Sequence, residues 1–473
     1  MAAAIAAAAR ITEQEAAKET DMPGATLSRW TMSYFAAACL MLVAGQGLMV
    51  VGYGYPFADI GAPETLVLVH LVAIGWLSLL MIGALLQFVP VLTGRPLVGA
   101  RFAAPTLVLL LAGLAGLVGG FVALSGAVDL PLALLPLGGG LLLAGFSLFA
   151  ALLVATFLSA RPLPLPARFV ATGLAALIAA ALIGSAFSAG LSDLVKSAPI
   201  DRLIADGVGL HAALGLGGWL SVTAVGVSYR LFSMFLLAPD VDRRTSRFAW
   251  WGASLAVGLV AVAVVLTLSG LSGGVLAFSG ALLLTLAAVI LYGADVLHIY
   301  RGRKRKQAEL NIRASFAALA LLALSVLLLN IPALRGGEVV AAVVYLFVFG
   351  WLTGLGLGQL YKIVAFLTWL EAYGPILGRA PVPRVQDLVD ERRAHLLFRI
   401  YYAAVAVATL TLVVGSTGLF RMAAAAQLVA TLCLVRELIR ARRLSIVPAA
   451  LRAPAGMVRP RLFLPLSAFQ GEK

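Results

Sequence analysis

Three stretches of the chain share one motif, and this motif decides the fold. They read GWLSLLMIGALLQFVPVL at 75–92, GWLSVTAVGVSYRLFSMF at 218–235 and GWLTGLGLGQLYKIVAFL at 350–367. Each copy begins Gly-Trp-Leu-Ser/Thr and continues as an apolar run with a second glycine at the same place. A repeat of this kind indicates that the chain is built from successive copies of one structural unit.

The small and large residues of the motif predict close helix packing. The two glycines of each copy lie near one face of a helix, since successive residues are about 100° apart. Small residues on such a face let membrane helices approach one another. The tryptophan lies too deep for an interfacial belt and is predicted to fill a gap between units. The predicted packing residues are Gly75, Trp76, Gly83, Gly218, Trp219, Gly226, Gly350, Trp351 and Gly358.

The composition of the chain requires a hydrocarbon solvent. Of its 473 residues, 62% are hydrophobic and only 12% are charged, too few charges to cover a soluble protein of this length. Only helices and closed barrels can span a bilayer. The apolar runs are about 20 residues or longer without strict alternation, whereas barrel strands are about half that length. The chain is therefore predicted to be an all-α membrane protein.

Reading the apolar runs between charged or Pro/Gly-rich breaks predicts twelve transmembrane helices in three pseudo-repeated four-helix units. The predicted spans are 30–53, 64–92, 102–125, 130–158, 167–190, 203–236, 246–270, 273–299, 311–334, 338–369, 394–418 and 420–441. The predicted segments are a cytoplasmic N-terminal arm (1–29), the three units (30–158, 167–302 and 311–441) and a basic, proline-containing cytoplasmic tail (442–473).

The net charge is +14, and the distribution of the cations along the chain indicates how the protein is oriented in the membrane. Most of the 35 cations fall in segments that share one side if the N-terminus is cytoplasmic, for example the run at 301–306. By the positive-inside rule, both termini are predicted to be cytoplasmic, in a bacterial inner membrane. The basic balance then predicts contact with the lipid bilayer and its anionic headgroups, and no nucleic-acid partner.

A twelve-helix chain of three four-helix arcs, with related helices 2, 6 and 10 around the centre, resembles subunit I of the haem–copper oxidases. This superfamily includes the cytochrome c oxidases and the nitric oxide reductases. The resemblance covers about residues 30–441. In the family, helix 2 carries a low-spin haem ligand and helix 6 the first copper-B histidine. The resemblance implies that His70 and His211, which match by helix and depth, are cofactor-binding residues, with haem or copper as the cofactor.

The chain lacks the residues that carry the oxygen chemistry in the family. Predicted helix 7 (246–270) and helix 10 (338–369) contain no histidine, and Tyr345 stands at the position equivalent to His70. Gly215 follows His211 where the family has a tyrosine. The binuclear centre cannot form, so oxygen or nitric oxide reduction by the family's mechanism is excluded. The chain is therefore interpreted as a degenerate, non-oxidase member.

Two interpretations of the histidines stay open. Neutral imidazoles of His70 and His211 can bind haem or copper. Met41 or Met49 could then supply a second ligand to the iron or copper that His70 binds. Alternatively, the histidines donate hydrogen bonds to neighbouring helices at the outer interface. A metal held jointly by both would have an incomplete ligand set of two histidines.

A polar side chain occupies one shared position in each copy: Gln87, Arg230 and Lys362. Cations inside a bilayer are expensive and mark functional sites, so Arg230 and Lys362 are candidates for holding an anion or a haem propionate if they point to the central axis. Alternatively, the two cations snorkel to the inner surface, and Lys362 pairs with Glu371.

The leading hypothesis is a multi-pass inner-membrane protein that retains the oxidase scaffold and one haem or metal. Its setting would be respiratory or a response to nitrogen oxides, with other membrane proteins of that metabolism as partners. The alternatives are a cofactor-free transporter or channel that uses the central axis, and an accessory subunit of a respiratory complex.

Overall fold

A computed structural model describes residues 27–334 and 336–462. Within these ranges the chain is helical and has no strand. Twelve helices are long and apolar enough to cross a membrane. They are α1 Leu27–Val51, α2 Pro63–Thr93, α3 Ala103–Leu124, α4 Leu134–Ser159, α5 Leu165–Leu191, α6 Val208–Leu236, α7 Arg244–Ser269, α8 Gly274–Arg301, α9 Leu310–Leu329, α10 Gly337–Ile376, α11 Glu391–Val413 and α12 Thr417–Arg442. The prediction of an all-α chain with twelve apolar helices is confirmed.

Two predicted spans differ from the observed helices for identifiable reasons. The span 203–236 is two helices, Ala198–Asp206 and α6, separated at Gly207. A side chain at Gly207 would meet the carbonyl of Leu203, so the chain bends tightly there. The span 311–334 ends at Leu329, and a short turn at Pro332–Leu334 follows, because proline cannot continue a helix.

Helices α2, α6 and α10 each contain a widened π-helical segment at the repeated motif. The segments are Leu71–Ser78, Ala213–Val222 and Leu346–Thr353. In two of them the motif serine bonds to a carbonyl five residues earlier: Ser78 to Ala73 at 2.9 Å and Ser221 to Leu216 at 2.8 Å. Such segments are rare and often lie at functional sites.

The helices pack in the same pattern along the chain. The most extensive pairs are α3 with α4, α7 with α8, and α11 with α12. In addition, α1 packs along α2, α5 along α6, and α9 along α10. Burial differs between the helices. In the most apolar part of α10 about two thirds of the residues are buried, whereas in that of α8 only 11% are buried. Helix α8 therefore presents most of its surface to lipid.

The described part of the tail folds against the C-terminal end of α10. Val447 is fully buried, and the Tyr373 hydroxyl donates to the carbonyl of Arg452 at 3.1 Å. Arg442 donates to Glu371 at 2.9 Å. Residues 1–26 of the predicted arm and 463–473 of the predicted tail lie outside the described residues.

Candidate functional site

The three motif tryptophans are linked to one another's helices by hydrogen bonds. Their indole N–H groups donate to the Ser/Thr two residues after the tryptophan of another copy. The bonds are Trp76 to Thr353 at 3.0 Å, Trp351 to Ser221 at 3.0 Å, and Trp219 to Ser78 at 3.1 Å. Taken in that order, α2 bonds to α10, α10 to α6, and α6 back to α2. The three bonds, here called the tryptophan ring, close a cycle.

The tryptophan ring is shut off from solvent and lipid. Trp76, Trp219 and Trp351 have relative exposures of 0%, 1% and 0%. Buried indole N–H groups need an acceptor. The hydroxyl oxygens of Ser78 and Ser221 can accept, because their own hydrogens are donated to backbone carbonyls of the same helix. The centre of α2, α6 and α10 is therefore packed, with its tryptophan donors satisfied.

The sequence interpretation missed the acceptors Ser78, Ser221 and Thr353. The signal was available, because every copy reads Gly-Trp-Leu-Ser/Thr. A hydroxyl conserved among three apolar copies indicates a buried partner for a buried donor. The sequence does not show which tryptophan donates to which hydroxyl, because each bond joins residues of different copies.

The six motif glycines lie where a neighbouring helix leaves no room for a side chain. A Cβ atom built on any of them would come within 3.0 Å of another side chain. The tightest is Gly226, where it would meet the Cβ of Phe169 at 2.3 Å and the carbonyl of Pro166 at 2.9 Å. These contacts place α5 directly against α6.

His70 and His211 lie side by side. Their ring centroids are 6.5 Å apart, and the ring planes are inclined by 30°. The His70 ring packs on Phe121 at 5.1 Å, and the His211 ring packs edge-on against Phe187 at 5.5 Å. The absence of a side chain at Gly184 makes room for the His211 ring, since a Cβ there would lie 3.2 Å from it.

The two imidazoles differ in the hydrogen bonds that their ring nitrogens make. His70 Nδ1 lies 2.7 Å from the carbonyl oxygen of Leu66. A hydrogen bond from Nδ1 to this carbonyl fixes the tautomer of His70 and leaves Nε2 as a lone pair. His211 Nδ1 is buried without a hydrogen-bond partner.

Within the described residues, no third histidine, cysteine or carboxylate completes a metal site with the histidine pair. In the ranges 27–334 and 336–462, no group of three or more His, Cys, Asp or Glu side chains could hold a metal ion. Tyr345, at the position equivalent to His70, instead donates to Gln427 on α12. Its ring packs on Phe349 at 4.7 Å and Phe420 at 5.6 Å.

The structure does not gather the three shared polar residues at one site. Arg230 pairs with Asp240 in the loop after α6. Lys362 lies 2.7 Å from Glu309, at the start of α9. The expected pairing of Lys362 with Glu371 is wrong, because Glu371 pairs with Arg442. Gln87 keeps a buried side-chain oxygen without a partner.

The C-terminal parts of α6 and α8 and the start of α7 meet at a buried carboxylate. Asp295 is fully buried and accepts from Tyr229 at 2.9 Å, from Arg243 at 3.3 Å and from Thr245. In the loop before α7, the pKa of Asp242 is held below its usual value by a hydrogen bond from Arg247 at 2.9 Å. Asp295 and Asp242 therefore compensate cations close to these helix ends.

No model of a known protein family matches the chain, and no curated protein matches it.

Proposed function

We propose that this twelve-helix membrane protein binds one copper ion between His70 and His211, on a scaffold in which α2, α6 and α10 surround a pseudo-three-fold centre. It would be a non-oxidase relative of haem–copper oxidase subunit I. The observation that carries the proposal is the histidine pair: two adjacent imidazoles on different helices, with Nδ1 of His70 on a carbonyl and Nδ1 of His211 buried without a partner.

The tryptophan ring and the helix pairing support the pseudo-three-fold scaffold. Three equivalent bonds join three equivalent residues in a cycle, as expected for three related units around one axis. The same pairs of neighbouring helices recur in each successive group of four. Both features agree with the sequence repeat, which alone motivated the three units.

The separation of the rings suits one ion bound by both. A nitrogen–metal bond of about 2.0 Å on each side and about 1.1 Å from each nitrogen to its ring centre give a centroid distance of about 6.2 Å for a linear arrangement. The observed centroid distance is 6.5 Å. At this separation the two imidazoles bind one ion when one nitrogen of each ring points towards the other ring.

The ligand set favours copper(I) among the ions that suit imidazole. Copper(I) accepts two nitrogen ligands, whereas zinc sites in proteins are almost always four-coordinate. The surroundings are apolar, since Phe121 and Phe187 flank the rings, and such surroundings suit a singly charged ion better than a divalent one. Haem iron also takes two axial histidines, but its macrocycle would need the space that these phenylalanine rings occupy.

The proposed setting, respiration or the response to nitrogen oxides, rests on the resemblance to the oxidases. The channel alternative is less favoured, because three buried indoles fill the centre of α2, α6 and α10. The accessory-subunit alternative would be revealed by stable co-purification with a respiratory complex from native membranes.

The proposal is tested by titrating the purified protein with copper(I) under anaerobic conditions against a colorimetric chelator. Wild type should bind one ion, His70→Ala and His211→Ala should each lose the site, and His298→Ala should bind as wild type does. His298 is the matched control because it is exposed at the inner end of α8. No copper binding by a folded wild type, or a haem absorbance band from protein expressed with haem supplied, would overturn the assignment.

A further inference from the structure

An elongated cavity lies between α6, α7, α8, α9 and α10, on the side of α6 away from His70. Its volume is about 410 Å³, within the range of small-molecule pockets. The walls carry no charged residue and no His, Cys or Met, so they offer no ligand for a metal or haem. Typical wall residues are Gly217 and Val225 on α6, Ala253 on α7, Val326 on α9 and Val344 on α10.

One whole face of α8 lines this cavity. The wall residues Phe278, Leu282, Thr285, Val289 and Tyr292 recur every three or four positions, which is the spacing of one helix face. From the first to the last of them the helix rises about 21 Å. The cavity is therefore a slot that runs along α8 for more than one leaflet of a bilayer, whose hydrocarbon core is about 30 Å thick.

The few polar atoms on the walls already have partners. The Tyr292 hydroxyl bonds to Ser228, and the Thr285 hydroxyl donates to Ala281 at 2.8 Å. Ser221 donates to Leu216 and accepts from Trp351. A water molecule needs two to four polar partners and apolar cavities stay dry. The slot therefore does not suit water or the polar head of a ligand.

Two of the helices that line the slot are the ones most exposed to the surroundings of the bundle. Helices α7 and α8 are the least buried of the twelve, and their outer faces expose Leu255 and Val265 on α7 and Leu283 and Ile290 on α8. An empty slot would forfeit the dispersion contacts of its walls. A flexible apolar chain from the surrounding bilayer restores them.

We propose that the slot binds one acyl chain of a phospholipid, with the headgroup at the inner surface. The inner ends of the helices that supply the wall residues Phe169 and Ala249 also carry the exposed Arg168 and Arg244. Such cations suit the anionic headgroups of the cytoplasmic leaflet. This assignment is independent of the histidine pair, which lies on other faces of the bundle.

Photolabelling tests the assignment. The full-length protein is reconstituted into vesicles containing phosphatidylglycerol with a diazirine near the end of one chain, and labelled peptides are mapped by mass spectrometry. Wild type should be labelled at slot residues of α8 and α9, such as Leu282 and Val326, as well as on its lipid-facing surface. Labelling confined to the lipid-facing surface would overturn the proposal.

Two variants that fill the slot sharpen the test. A Cβ on Gly217 meets no atom within 4 Å, so Gly217→Leu should fill the slot and remove most slot labelling; Ala253→Phe should do so from the opposite wall. The matched control is Gly258→Leu on the exposed side of α7, where a Cβ also meets nothing within 4 Å. Slot labelling that persists in a folded filled variant, or a tightly bound isoprenoid that displaces the lipid, would contradict it.

Discussion

The tryptophan ring and the histidine pair share α2 and α6 but are built differently. Trp76 and Trp219 are buried, and each N–H has a hydroxyl acceptor on another helix. His70 and His211 lie about two turns towards the N-terminal ends of these helices, and a buried nitrogen of His211 has no partner. A buried group without a partner costs about 1–3 kcal/mol. The tryptophan ring therefore has a partner for each of its hydrogen-bond donors, whereas the histidine pair retains a ring nitrogen that can bind a ligand.

The largest expected effect concerns stabilisation by copper. A ligand present at a thousand times its dissociation constant stabilises the folded state by about 4 kcal/mol. Thermal unfolding of wild type in detergent should therefore shift upwards when copper(I) is added, and that of His211→Ala should not shift. An equal shift in both proteins would show that the ion binds elsewhere.

Next in size is the effect of a methyl group at the packed centre. Gly226→Ala should destabilise the protein by about 1–3 kcal/mol, because overpacking forces neighbouring groups apart. Gly217→Ala, on the same helix but beside open space, should be neutral or slightly stabilising, since alanine favours a helix by about 1 kcal/mol over glycine. Urea or thermal unfolding measures both. Equal effects at the two positions would remove the distinction between packed and open faces of α6.

The smallest expected effect comes from a single bond of the tryptophan ring. Trp219→Phe removes one donor and keeps most of the apolar volume, so it should cost about 1 kcal/mol, the net value of one hydrogen bond, plus a small packing loss. Copper binding should stay at the wild-type level. A variant that loses copper while remaining folded would show that the two regions are not separable.

Much of the fold could be predicted because apolar periodicity and breaks are local properties of the sequence. The bounds of α2 and α8, for example, fall within a few residues of the predicted spans. The π-helical segments and the break at Gly207 could not be predicted in this way. They depend on backbone contacts, such as that between Gly207 and the carbonyl of Leu203, which a hydropathy pattern does not encode.

The candidate site was only half predictable. Helix and depth marked His70 and His211 separately, but their contact joins residues of two different units and follows from packing. Lys362 shows the same limit: a nearby acid, Glu371, was the expected partner, yet Glu309 at the start of α9 lies 2.7 Å away. Pairs between helices are set by helix positions, and sequence distance does not reveal them.

X-ray absorption at the copper edge of the copper(I)-loaded protein tests the central claim most directly. The histidine pair predicts two nitrogen neighbours at about 2.0 Å and no sulfur, with the signal lost in His70→Ala. A copper ion with sulfur or four ligands, or an unchanged spectrum in that variant, would contradict it.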